Sequence, residues 1–178
     1  MIRSSLVPVL LLAGALVAGC ADTEATVIAP QVTAAADANL VLKAAGSKPI
    51  VVFKGLVNGG RPVRADLASF DALPTQTLTV VEPFVKKSMR FDGVGFADLL
   101  SAVRATGTSL TVHAADDYEV TFDAATLRNE GALLATHVGG RPIEVTAGGP
   151  VRIVFPASSK TGKDTDVWVW SVDQILVE

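Results

Sequence analysis

From Ile50 onward, short apolar runs alternate with segments rich in turn-forming residues. Ile50–Phe53 is β-branched and apolar, and Asn58-Gly59-Gly60-Arg61-Pro62 follows it, so a hairpin is predicted. Asp66 can cap a short helix through Phe70 that stops before Pro74. Thr77–Val81 reads as a strand with threonine on one side. Gly95–Val103 carries apolar residues at helical spacing and ends before Gly107. Leu110–Ala114 and Glu119–Phe122 read as strands about Asp116-Asp117-Tyr118, and Asp123 or Thr126 opens a further helical turn. Leu133–Val138, the turn at 139–142 and Ile143–Val145 form a second predicted hairpin. Val151–Phe155 reads as a buried strand closed by Pro156. After a polar loop at 157–166, Val167–Val177 supplies one or two strands. Many strands with two or three short helices predict an α+β domain around a mixed, β-rich core, not alternating βαβ units. Gly-Gly-Arg-Pro occurs at 59–62 and at 139–142, but the flanks do not repeat, so both are read as hairpin turns.

The first twenty residues follow a different pattern. Arg3 precedes an apolar run from Leu6 to Val17, which ends in Ala18-Gly19-Cys20. The run suits the apolar region of a signal peptide and is short for a membrane span, which needs roughly 17–25 apolar residues. Small residues before a cysteine are similar to the lipobox of bacterial lipoproteins, with Cys20 as the lipid attachment point. An ordinary signal peptide with a chance cysteine, or a core helix, are the alternatives. Residues 1–19 are therefore expected to be a signal peptide, 20–48 a lipidated tether and 49–178 the domain. A flexible tether of that length reaches roughly 30 Å. Within it, Asn39–Ala45 is a short strand or a helical turn.

Composition sharpens this picture. Cys20 is the only cysteine in 178 residues, which excludes an intrachain disulfide framework and any cysteine-clustered metal site. The whole chain carries 15 basic and 18 acidic residues. Loss of Arg3 with the signal peptide leaves 14 against 18, a charge of −4. No basic stripe exists for phosphates, so nucleic acid is not an expected partner.

A recognisable order then emerges. Gly55-Leu56-Val57, Leu67 through Leu73-Pro74, and Phe91-Asp92-Gly93-Val94 leading into Asp98-Leu99-Leu100 form a first half. Ala114 through Tyr118, Leu134-Ala135, Gly140-Arg141-Pro142-Ile143, Gly148 through Pro156, and Trp168 through Ile175 form a second. This order, over Ile50–Glu178, resembles the molybdopterin-binding domain of the sulfite-oxidase-type oxidoreductases. The resemblance implies a mixed α+β fold that, in large members, binds a molybdenum–pterin cofactor. Catalytic members hold molybdenum through a cysteine thiolate, yet the matching stretch here is Thr79-Val80-Val81-Glu82-Pro83-Phe84. Valine and phenylalanine do not replace a soft anionic ligand, and Glu82 offers only a hard oxygen. Asp117 stands where the family has a glycine before the tyrosine, and Val167 where a lysine often precedes the last tryptophan. Lys160 and Lys163 are the basic residues that would face a cofactor phosphate. The implied relationship is to the shorter, cysteine-less, exported branch. Export by the general secretory route, implied by the lack of a twin-arginine pair, threads an unfolded chain and cannot carry a buried cofactor made in the cytoplasm.

Among candidate site residues, Asp116, Asp117 and Tyr118 can bind a cation or do acid–base chemistry. Successive strand residues face opposite ways, so both acids reach one site only if the segment is a turn. His113 and His137 with Asp116 have no close metal-ligand spacing, and no metal site is predicted. Trp168 and Trp170, two apart, would share one face of a strand, as an aromatic wall or as core cover. Arg152 suits capture of an oxyanion, with Lys163 as its partner. The alternative for Arg152 is solvation, or pairing with Asp116 or Glu144.

The expected protein is a periplasmic lipoprotein, held to a membrane by its lipid anchor, with Ala21 after the cysteine pointing to the outer membrane. Its domain is expected to bind a small organic anion or a periplasmic protein, with no catalytic residue assigned and no cofactor expected beyond the molybdopterin that resemblance implies. An active molybdopterin oxidoreductase with a non-cysteine ligand set and a purely structural interaction protein are the rivals.

Overall fold

The computed structural model describes residues 41–178. The expected signal peptide, Cys20 and the first part of the expected tether lie outside the described residues. From Leu42 the chain already packs on the domain. Leu42 is buried and its amide donates to the Ala102 carbonyl at 2.9 Å, while Ala45 N–H donates to Arg64. Residues 41–45 form neither of the two elements weighed for that segment.

Two five-stranded sheets carry the fold. The first contains β1 (Val51–Gly55), β2 (Val63–Ala65), β5 (Ser109–Ala114), β6 (Glu119–Asp123) and β10 (Val172–Val177), in the order β2-β1-β10-β5-β6. Only β1 and β10 run parallel; the other pairs are antiparallel. The second contains β3 (Gln76–Val81), β4 (Ser88–Gly95), β7 (Leu133–Val138), β8 (Arg141–Pro142) and β9 (Arg152–Val154). Here β7 pairs with β4 on one side and with β8 and β9 along the other. Three short helices, α1 (Leu67–Asp71), α2 (Phe96–Ala102) and α3 (Ala124–Asn129), complete the α+β fold.

Local chemistry explains most boundaries. Asp66 caps α1 in a reciprocal capping box with Ser69, and Asp123 caps α3 through the Thr126 amide. In β5, Leu110, Val112 and Ala114 are buried while Thr111 and His113 alternate outward, the period-two pattern of a half-buried strand. Strand β7 is buried on both faces from Leu133 to Thr136, as its central place requires. Phe53, Phe70, Phe91, Phe96 and Phe155 fill the core with the leucines of α2.

Three expectations are corrected. Ser88–Gly95, not predicted as a strand, is the eight-residue β4. The second hairpin's return is the two-residue β8 at Arg141–Pro142, ahead of the expected Ile143–Val145 strand, and Val145 instead opens a 3-10 turn through Ala147. Trp168 and Trp170 precede β10 in irregular backbone, so strand alternation does not set their directions.

Candidate functional site

Strand β3 ends at Val81, and the next residue, Glu82, is fully buried. Its Oε2 accepts hydrogen bonds from the Phe84 and Val85 amides at 2.9 and 2.6 Å, which fixes the turn that leaves the strand. Its Oε1 has no hydrogen-bond partner among the described residues and faces Nη1 of Arg152 at 3.7 Å. Arg152, on β9, is 5% exposed. It donates from Nε to the Gly148 carbonyl at 3.3 Å and from Nη2 to the Ala147 carbonyl. Its Cζ lies 3.9 Å from the Trp170 ring centroid and 5.9 Å from that of Phe91. Burial lowers the guanidinium pKa below its ordinary value, and the Glu82 charge opposes this only in part.

Trp170 lines two clefts. One, of about 200 Å³, is also lined by Phe84, Asp116, Tyr118 and Trp168. Phe84 meets Trp170 edge-on, with centroids 5.2 Å apart at 81°. The other cleft, of about 280 Å³, has walls of Val85, Met89, Phe91, Val138 and Ile143, and Arg152 is the only charged residue among the described residues that line it. Trp170 Nε1 is buried and has no hydrogen-bond partner among the described residues.

The structure brings some predicted residues together and separates others. Asp116, Tyr118 and Trp168 share the smaller cleft. The Tyr118 hydroxyl donates to the Asp166 carbonyl at 2.7 Å, and Trp168 Nε1 donates to the Gly162 carbonyl at 2.9 Å. The loop that carries those partners is held at its start by Glu130, whose carboxylate accepts from the Ser159 hydroxyl and the Thr161 amide. These bonds, the Ser159 hydroxyl first, lower the Glu130 pKa. Asp117 turns away: with φ at 67° its side chain is 98% exposed and approaches His113 Nε2 at 3.6 Å. The adjacent carboxylates therefore do not form one site. Lys163 lines a third cleft with Phe155, Ser159 and Trp168, so it is not placed with Arg152 in a common pocket. Arg152 pairs with Glu82, and neither Asp116 nor Glu144 is its partner.

His113 and His137 occupy different sheets. His113 Nδ1 contacts Asp173 at 2.7 Å, whereas His137 Nδ1 lies 2.9 Å from the Thr136 hydroxyl and 3.8 Å from Asp71. Sequence reasoning missed the Glu82–Arg152 pair. A signal existed: each is a lone charge in an apolar stretch, Val80-Val81-Glu82-Pro83-Phe84 and Val151-Arg152-Ile153-Val154-Phe155, and buried charges of opposite sign seek each other.

Residues 60–164 match the family model described as oxidoreductase molybdopterin binding domain. The chain belongs to that family. No curated protein matches it. Among solved structures, it is similar to the sulfane dehydrogenase SoxCD from Paracoccus pantotrophus, with a TM-score of 0.55 and 18% sequence identity. The match covers 71% of this chain and 37% of the SoxCD chain, and at that identity the likeness is one of fold.

Proposed function

We propose that the protein is an exported, lipid-anchored binding module of the molybdopterin-domain family that performs no molybdenum turnover and takes a small organic anion at Arg152. The observation that carries this reading is the buried Glu82–Arg152 pair beneath Trp170. Family resemblance puts the metal ligand in the stretch that ends β3, and there the chain supplies an internal ion pair in its place.

The residues present do not fit a thiolate-held molybdenum–pterin group. The described domain contains no cysteine, since the only one in the chain is Cys20. Glu82 is enclosed, with one oxygen committed to two backbone amides and the other turned to Arg152. Each cleft beside Trp170 is also smaller than the roughly 300–1,000 Å³ usual for sites that enclose larger ligands. What remains is recognition: a buried cation held in place by carbonyls and an indole, at the wall of an apolar cleft. Export and anchoring rest on the pattern around Arg3, Leu6–Val17 and Cys20.

Metal and pterin analysis of protein purified from its native membrane tests the reading. Molybdenum and pterin far below one per chain are expected; stoichiometric amounts of both would overturn it.

A further inference from the structure

We infer that the larger cleft beside Trp170 is a binding site for a small apolar monocarboxylate, its carboxylate on Arg152 and its hydrocarbon body among Val85, Met89, Phe91, Val138 and Ile143. This deepens the proposed function and rests on it. The walls come from the turn after β3, from β4, from β7 and from the segment after β8, so the chamber is built by the fold itself. They favour an uncharged, hydrophobic body.

Charge count sets the head group. Arg152 is the only charged residue among the described residues of the lining, and it is almost fully buried. Glu82 stands 3.7 Å from Nη1, too far for a hydrogen bond, so its carboxylate does not saturate the guanidinium. The Gly148 and Ala147 carbonyls and the Trp170 face hold the guanidinium in place without adding negative charge. Two of the five guanidinium N–H groups are used by those carbonyls, so the rest can receive one incoming carboxylate, which together with Glu82 leaves the site one net negative charge. A dianion would leave two net negative charges in an apolar chamber, with no further cation among the described lining residues to offset them.

Size sets the body. At roughly 30 Å³ per water in the liquid, 280 Å³ corresponds to about nine water-sized groups. Benzoate and 3-methylbutanoate are of that scale.

The test uses the full chain purified from membranes, with tryptophan fluorescence and the Trp170 indole N–H resonance as readouts. Benzoate and 3-methylbutanoate should give saturable changes, whereas benzyl alcohol and inorganic phosphate should bind at least about tenfold more weakly. Arg152→Gln should abolish the response. Because that change leaves Glu82 without its partner and can unfold the domain, Ala147→Phe is the second variant. Ala147 is exposed at the rim, and a phenyl group there should block the chamber while the fold persists. Carboxylate binding that survives Ala147→Phe, phosphate binding as tight as benzoate, or no saturable carboxylate binding would each overturn the monocarboxylate assignment. Stoichiometric molybdenum in the native protein would instead overturn the binding-module reading, so the two failures are distinguishable.

Discussion

Glu82 and Arg152 meet at 3.7 Å inside the domain, the glutamate with no exposed surface and the arginine 6% exposed at its side chain. Removing one charge of such a pair strands the other in low dielectric. Glu82→Gln is expected to destabilise the domain by about 3–5 kcal/mol in urea unfolding. The double variant Glu82→Gln/Arg152→Met should recover a large part of that loss, because glutamine keeps an oxygen for the Phe84 and Val85 amides and methionine repacks without a charge to desolvate. A double variant as unstable as the sum of the singles would show that the pair is not an energetic unit.

Asp66 ties the segment before β1 to α1. Its Oδ2 accepts from the Gly46 amide, the Ser47 amide and the Ser47 hydroxyl, and its Oδ1 from the Ser69 amide and hydroxyl. The Ser69 and Ser47 side-chain bonds are the largest causes that hold its pKa well below the usual carboxylate range. A depressed folded pKa gives stability that is present above the unfolded value, near 3.9, and is lost as pH falls toward the folded value. Asp66→Asn should thus melt below the wild type by a constant margin above about pH 5, and the margin should shrink below about pH 4. Thermal melts across that range check it.

His113 behaves in the opposite sense. Its hydrogen bond with Asp173 is the largest cause that raises its pKa, with Asp117 and Glu119 adding attraction and burial opposing. A raised folded pKa stabilises below the unfolded value, near 6.5, and that stability fades as pH rises through the folded value. The imidazole should titrate above its ordinary midpoint by NMR, and Asp173→Asn should move the midpoint down. An unchanged midpoint in the variant would mean that Asp173 does not set it.

Cys20 carries the anchoring proposal. Cys20→Ser removes the sulfur that would take the lipid, and one hydroxyl cannot replace a thioether-linked anchor. The variant is expected to lose an incorporated fatty-acid label, whether it is released or kept in the membrane by an uncleaved signal segment. Fatty-acid labelling equal to wild type would overturn lipidation at this residue.

The α+β class and most elements were legible because their signals are local. Asp66 and Asp123 announce helix starts by side-chain capping, and the Asn58–Pro62 and Gly139-Gly140 turns join strands that do pair. What was not legible depends on distant partners. The parallel pairing of β1 with β10 joins the two ends of the domain, and no local pattern at Val51–Gly55 specifies it. Likewise Glu82 and Arg152 are seventy residues apart, so each looked like an isolated charge until the sheets placed them together. Trp168 and Trp170 were given the geometry of a strand, although β10 begins only at Val172.

Strand β4 was missed for a reason that yields a prediction of its own. Lys86-Lys87-Ser88 leads into it, and Gly93 and Gly95 interrupt the apolar run, all of which argue against a strand from propensity alone. The structure supplies the counter-argument at Gly93. A register shift occurs between Asp92 and Gly93 where β4 pairs with β7, and a Cβ on Gly93 would collide with the Leu134 carbonyl oxygen and lie 2.6 Å from Ala135 Cα. These are backbone atoms in the fully buried part of β7, so they cannot yield as a flexible side chain would. Gly93→Ala should therefore cost about 1–3 kcal/mol through strand displacement, although alanine is ordinarily tolerated in strands. It should also perturb Arg152, which pairs through β9 with the Ala135 position of β7. Urea unfolding together with the Trp170 indole resonance checks both effects. Wild-type stability in this variant would show that the close approach of β4 and β7 is not what requires glycine.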